Sequence, residues 1–305
     1  MKKEIEVPYK AGFVNIVGKP NVGKSTLVNT FVKEKLSIVT SKPQTTRHRI
    51  HALLSEDHFQ IVFSDTPGII NEPHYKMQSS MNKFAYSAFE DADLILFVTD
   101  IYEAYTGDEL VFQMLKTTEV PVILIINKID LDQDEKVNEI EKNLTEIYSF
   151  SKIFKVSAKE KINTDSILDT IVDILPVHPP YYPQDQLSDR PERFFVSEII
   201  REKILQMYRQ EIPYSCEVVV HRFKEEEKHG KPLLMIYADI YVERKSQKPI
   251  IIGNKGESIK KLGIASRLDL ENFFETHVFL DLNVKIKENW RDDDKMLQHF
   301  GYENN

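Results

Sequence analysis

One cysteine in 305 residues, Cys216, leaves nothing for an internal disulfide to join, which excludes a cross-linked secreted scaffold. A lone thiol suits a reducing compartment, and Cys216 reads as a small strand residue. No stretch approaches the roughly 18 uninterrupted apolar residues of a membrane-spanning helix, and the opening Met-Lys-Lys-Glu-Ile-Glu lacks the apolar segment of a secretory signal. An excess of positive charge is missing too: 40 Lys and Arg against 48 Asp and Glu give −8, which argues against indiscriminate coating of nucleic acid. What is present, 41% hydrophobic and 29% charged residues, matches an ordinary globular protein rather than a disordered, collagenous or coiled-coil one. At about 150 residues per domain, the length suggests two.

The charge sum hides a local asymmetry. From Arg244 to Arg267 there are seven basic residues and one acid, Glu257, a balance of +6. Over the first 175 residues, short apolar runs (12–17, 49–55, 58–64, 93–99, 121–126 and 152–156) alternate with helix-like segments (24–34, 75–91, 106–117, 134–148 and 164–175). That alternation predicts a mostly parallel sheet covered by helices. Leu175-Pro-Val-His-Pro-Pro-Tyr-Tyr-Pro can neither continue a helix nor sit inside a sheet, and reads as an interdomain linker. Beyond it the order becomes helix 191–209, strands 214–223 and 232–243, two short helices around Gly253 to Gly256, and a strand 277–287. The acidic run Glu225-Glu226-Glu227 reads as a solvated hairpin tip. The expected boundaries are 1–178, a linker over 179–190, a second domain over 191–295 and a tail over 296–305.

Gly18-Lys-Pro-Asn-Val-Gly-Lys-Ser25 follows the apolar run Phe13 to Val17 and opens a helix, the setting of a phosphate-binding loop. Its backbone N–H groups would turn toward phosphates, Lys24 would reach the β and γ phosphates, and the Ser25 hydroxyl would ligate Mg²⁺. Asp65-Thr-Pro-Gly68 ends a predicted strand, which places a carboxylate near Mg²⁺ and a backbone N–H near the γ-phosphate. Asn127-Lys-Ile-Asp130 ends another. The Asp130 carboxylate can accept the paired N–H donors that guanine carries and adenine lacks; a buried carboxylate denied them would reject ATP. Ser157-Ala158-Lys159 follows a fourth strand, with the Ala158 N–H available for the guanine O6. Singly, each motif could be a turn or a helix cap. Four in this order, each at a strand end, are not explained that way.

On these motifs residues 11–175 resemble a translation-factor-type GTPase domain. The resemblance implies GTP and GDP as ligands of Gly18, Lys19, Pro20, Asn21, Val22, Gly23, Lys24, Ser25 and Thr26, of Asp65, Thr66, Pro67 and Gly68, of Asn127, Lys128 and Asp130, and of Ser157, Ala158 and Lys159. In such GTPases a threonine of the polar loop 37–48 joins Mg²⁺ only when the γ-phosphate is present. Motif position favours Thr46, with Thr45 as its neighbour and rival. The metal set is then Ser25, Thr46 and Asp65, and the catalytic set Lys24, Asp65, Gly68 and Thr46. Ile69 stands where many GTPases place a water-orienting glutamine, which implies slow intrinsic hydrolysis. Asn21 matches relatives in which an asparagine helps hold K⁺; a turn-stabilising role explains it equally well.

In the second domain Gly253-Asn254-Lys255-Gly256 is a G-x-x-G turn inside the basic window, followed by Lys260 and Lys261. With the helix and strand order it resembles a type II KH domain, in which such a loop meets the phosphates of single-stranded RNA. These six residues are the expected RNA contacts. Gln44 to His48, Arg190 to Phe194, Glu211 to Ser215 and Asn289 to Asp294 carry the resemblance further, so that nearly the whole chain is similar to the Era family of bacterial GTPases. That implies a cytosolic GTPase binding the 3′ end of 16S rRNA during small-subunit assembly, with peripheral membrane association also attributed to the family; a monomer is the default, since nothing in the sequence suggests otherwise. Alternatives are an RNA adaptor with a vestigial nucleotide site, and a GTPase acting on another RNA or at the membrane. Trp290, the single tryptophan, reads as packing the C-terminal tail, with base stacking as its other reading.

Overall fold

The computed structural model describes residues 8–132, 136–228 and 230–302. Residues 1–7 of the expected first domain, the first two residues of the helix expected at 134–148, and 303–305 of the expected tail lie outside the described residues. Two units pack separately. One holds most of the chain up to Asp189, and the other is built on the chain from Arg190 together with Ile38–Thr45 and Pro73–Ser80.

The elements of the N-terminal part are β1 (Lys10–Val17), α1 (Lys24–Val32), β2 (Ile50–Glu56), β3 (Phe59–Asp65), α2 (Lys76–Ser87), β4 (Leu94–Asp100), α3 (Leu110–Leu115), β5 (Val122–Asn127), α4 (Lys136–Ile147), β6 (Lys152–Lys155) and α5 (Asp165–Ile174). The strands form a six-stranded sheet in the order β2-β3-β1-β4-β5-β6, parallel except for β2 against β3. Every residue of β4 and β5 is buried, as expected of strands covered on both faces. One face packs Phe97, Leu124 and Ile126 against Phe112 and Leu144; on the other, Phe31 of α1 stacks on Phe63 at 5.0 Å. Because β3 and β4 flank β1 on opposite sides, the chain leaves the sheet in opposite directions beyond the β1 carboxyl end. A crevice opens there.

The helix expected at 106–117 shortens to α3. Glu109 accepts the backbone N–H groups of Thr106 at 3.0 Å and Gly107 at 2.9 Å, which turns the preceding residues into a capping loop. The proline-rich stretch is no free spacer. Gln60, fully buried in β3, accepts from the Tyr181 and Tyr182 N–H groups at 2.8 and 3.0 Å and donates to the Tyr182 carbonyl at 2.9 Å. Further on, Leu53 N–H donates to the Leu187 carbonyl at 2.9 Å and Ser188 bridges Ala52, so the segment runs along the β2 edge.

The second unit contains α6 (Glu192–Met207), α7 (Ile212–Ser215), β7 (Cys216–Lys228), β8 (Lys231–Val242), α8 (Gln247–Ile252), α9 (Glu257–Phe274), β9 (His277–Ile286) and α10 (Asp294–His299). The sheet order is β7-β8-β9, with β7 and β8 an antiparallel hairpin and β9 parallel to β8. Alternate residues of β8 (Leu234, Ile236, Ala238, Ile240 and Val242) point into a core shared with Ile200 and Ile204 of α6 and with Leu262 and Leu270 of α9. Two expectations change. Glu225 to Glu227 lie inside β7 rather than at a hairpin tip, paired with residues 232–234. The helix after Gly256 is not short: it runs 18 residues through Gly263, whose hydrogen-only side chain lies near Leu282. Trp290 is fully buried, donates Nε1–H to the Ser215 carbonyl at 3.0 Å and meets Phe300 edge to face at 5.2 Å. The packing role fits; base stacking does not.

Candidate nucleotide and RNA-binding sites

The loop from Gly18 to Gly23 joins β1 to α1 at the crevice. Gly18 and Gly23 have φ of 149° and 101°, in the region that favours glycine. A Cβ on Gly23 would come within 2.1 Å of Asn127 Nδ2. Lys24 is buried; its Nζ donates to the carbonyls of Gly18 at 3.0 Å and Lys19 at 2.8 Å. Burial lowers its pKa to about 8, against the pull of Asp65, which favours the charged form.

Ser25 and Thr46 bring their hydroxyl oxygens to 2.9 Å. The Thr45 hydroxyl is turned elsewhere, 2.7 Å from both Thr40 Oγ1 and the Lys42 carbonyl. Asp65 closes β3 with its side chain fully buried, and Thr66 donates to the Ile16 carbonyl at 2.8 Å. Ser25, Thr46 and Asp65 offer oxygen donors only, the chemistry that Mg²⁺ prefers. Gly68 is pressed against Pro20, so near that a Cβ would lie 2.7 Å from the Pro20 nitrogen. Asn21, at φ 65°, and Val22 complete the loop, and Thr26 lies in the first turn of α1. Ile69 is half-buried against the apolar core.

At the base side Asn127 Nδ2–H donates to the Val22 carbonyl at 2.8 Å and Oδ1 accepts from Ala158 N–H at 2.9 Å, while Thr30 donates to the Ala158 carbonyl at 2.9 Å. Asn127 thus ties three motifs together. The Ala158 N–H, expected to face the guanine O6, is directed at Asn127 and would have to be shared. Asp130 sits exposed on a 3-10 turn, Ile129–Leu131, not buried as the argument against adenine assumes. The penalty for a wrong base therefore arises only once a base covers it. Ser157 is buried and accepts from Glu160 N–H at 3.2 Å; Lys159 is exposed.

In the second unit α8 ends as Gly253 N–H donates to the Pro249 carbonyl at 2.8 Å. Gly253, Lys255 and Gly256 take φ of 74°, 48° and 81°, and the turn delivers the chain into α9. Asn254, Lys255, Lys260 and Lys261 lie around the α9 N-terminus, where backbone N–H groups favour an anion. Next to them stand exposed apolar side chains that sequence reasoning missed: Ile250 on α8, and Ile264 and Leu268 four residues apart on α9. Helical spacing alone assigns such residues to a core. Their proximity to a G-x-x-G turn was the available signal for a groove that takes bases.

Residues 13–128 match a family described as 50S ribosome-binding GTPase, and residues 211–291 match the KH domain. The GTPase Era of Clostridium kluyveri is 44% identical over 294 residues, spanning 96% of this chain and 99% of its own. The chloroplastic GTPase ERA1 of Zea mays is 46% identical over 96% of this chain and 71% of its own. Era in complex with MgGDPNP and nucleotides 1506–1542 of 16S ribosomal RNA superposes with a TM-score of 0.90 at 36% identity, covering 97% of this chain and all of that one. A point variant of Aquifex aeolicus Era bound to GDP·AlF4⁻ gives 0.89 at 37% identity, with the same coverage. With both units and nearly the full length shared, this chain belongs to the Era family of GTPases.

Proposed function

We propose that this protein is a GTP-hydrolysing switch that binds the 3′ end of 16S rRNA through its KH unit, in assembly of the small ribosomal subunit. The observation that carries the nucleotide half is the 2.9 Å approach of Ser25 and Thr46 hydroxyls beside buried Lys24 and Asp65. Lys24 binds the β and γ phosphates, Asp130 selects guanine, and Gly68 offers its N–H where γ-phosphate charge develops. Ser25, Thr46 and Asp65 would hold Mg²⁺, which when bound neutralises phosphate charge and polarises the bond to be cleaved. Thr46 belongs to that set only with GTP, which makes the loop around it the switch. Ile69 has no polar atom for a water, so turnover is slow until a partner supplies the orientation. Asn21 binds K⁺, and its charge stands in for an arginine; equal rates in K⁺ and Na⁺ would remove that role.

Lys255 and the Gly253 to Gly256 backbone hold RNA phosphates, and Lys260 and Lys261 extend the basic strip. The test is binding of a single-stranded 16S rRNA 3′-end oligonucleotide at fixed salt, with GDP and with a non-hydrolysable GTP analogue. Tighter binding with the analogue, lost in Lys255→Glu, supports the switch. Equal and weak binding in both states would point instead to another RNA or to a role at the membrane.

A further inference from the structure

Asp100, the last residue of β4, lies in register beside Asn127 of β5. The next residue, Lys128, is left-handed with φ 64°, and its Nζ returns to Asp100 Oδ2 at 2.5 Å. Asp100 is only 3% exposed, and its other oxygen accepts the Tyr102 N–H at 2.9 Å. A few residues on, the same loop reaches the phosphate side. Lys19 Nζ lies 2.9 Å from both Glu103 Oε2 and the Ala104 carbonyl, and 4.3 Å above the ring of Tyr105. That ring is anchored in the core by edge contacts to Phe97 at 5.7 Å and Phe112 at 5.5 Å.

One short loop therefore grips a lysine of the phosphate-binding loop and the lysine of the guanine motif. Both side chains are long, flexible and costly to order. The loop orders both, with a buried carboxylate at one end and a core-anchored ring at the other. We propose that residues 100–105 form a clasp for guanine nucleotides, in which Asp100 positions Lys128 and Glu103 positions Lys19, so that the clasp sets the rate of nucleotide release. This inference rests on the reading of Gly18 to Ser25 and Asn127 to Asp130 as the nucleotide site. With Asp100 buried and Lys128 half-buried, losing either member leaves the other misplaced, and such losses act chiefly on dissociation.

The experiment follows release of a fluorescent GDP analogue, chased with excess GDP, from the full chain carrying Asp100→Asn, Lys128→Met, both together, or Glu103→Gln. Asp100→Asn and Lys128→Met should each speed release about tenfold, and Glu103→Gln about threefold. The double variant should release no faster than Lys128→Met alone, because Asp100 acts through that lysine. For Asp100→Asn and Glu103→Gln, KM for GTP should rise while kcat holds. A wild-type release rate in Asp100→Asn overturns the clasp, as does an additive double variant, which would place Asp100 in general folding. If Asp100→Asn does not fold, a wild-type rate in Lys128→Met overturns it equally. A wild-type protein that binds no guanine nucleotide at all would instead remove the site reading on which the clasp rests.

Discussion

Lys24 carries the clearest pH dependence among the site residues. Burial lowers its pKa to about 8, so without nucleotide about half of this proton is lost by that pH. Phosphate favours the ammonium form, so a bound nucleotide raises the pKa and binding takes the proton back. GDP affinity should then be flat well below pH 8 and should fall as pH rises through 8, which titration calorimetry across about pH 7 to 9.5 would measure. Folding responds with the opposite slope: the native state holds fewer protons than the unfolded chain between about 8 and 10.5, so stability without nucleotide gains over that window. Trp290 is the second residue with a defined cost. Its indole is fully buried and hydrogen-bonded, and it backs Tyr302, whose hydroxyl donates to Glu217 at 2.5 Å. Trp290→Ala should cost about 3–5 kcal/mol in urea unfolding monitored by circular dichroism.

Among the elements, the segment along β2 depends on one side chain. Gln60 meets two backbone N–H groups and one carbonyl of residues 181 and 182, and donates to Ser55 Oγ at 3.0 Å as well. Gln60→Leu keeps the volume and strips those bonds; we expect a loss of about 1–3 kcal/mol and faster amide exchange at Tyr181 and Tyr182, with β4 and β5 still protected. This contact was not legible in the chain, because a polar residue in an apolar strand does not name its partner 121 positions away. The same holds for Asp100, whose value comes from Lys128 at the end of a neighbouring strand. The glycine and lysine spacing of Gly18 to Ser25 was legible, because it encodes backbone shape locally. So were the Asp65, Asn127 and Ser157 motifs, each tied to the end of an apolar run. Local chemistry misled in two places. The helix after Gly256 was expected to be short and instead runs through Gly263, which is tolerated within α9 at about 1 kcal/mol relative to alanine, with Leu282 nearby. The acidic triplet looked like a tip and is a strand with polar faces.

At the scale of the molecule, a chain of net charge −8 presents one basic strip, and RNA affinity should follow that strip rather than the total. If Lys255, Lys260 and Lys261 each neutralise a phosphate, log affinity against log salt should slope at about −2 for a single strand. Lys260→Gln with Lys261→Gln should flatten it to about −0.7, a change readable by fluorescence anisotropy between about 50 and 300 mM KCl.

The residues lying along β2 have a bearing on how this protein can be divided. β2 is the antiparallel edge of the six-stranded sheet, and the Leu187 carbonyl and Ser188 occupy part of its outer row of backbone groups. The opposite edge, β6, is four residues long and carries Lys152 and Lys155 at its ends, which discourages pairing with another copy. A truncation after His178, the boundary expected from the proline pattern, would bare β2 and invite edge-to-edge aggregation; a nucleotide-binding fragment that stays in solution has to run on through Asp189.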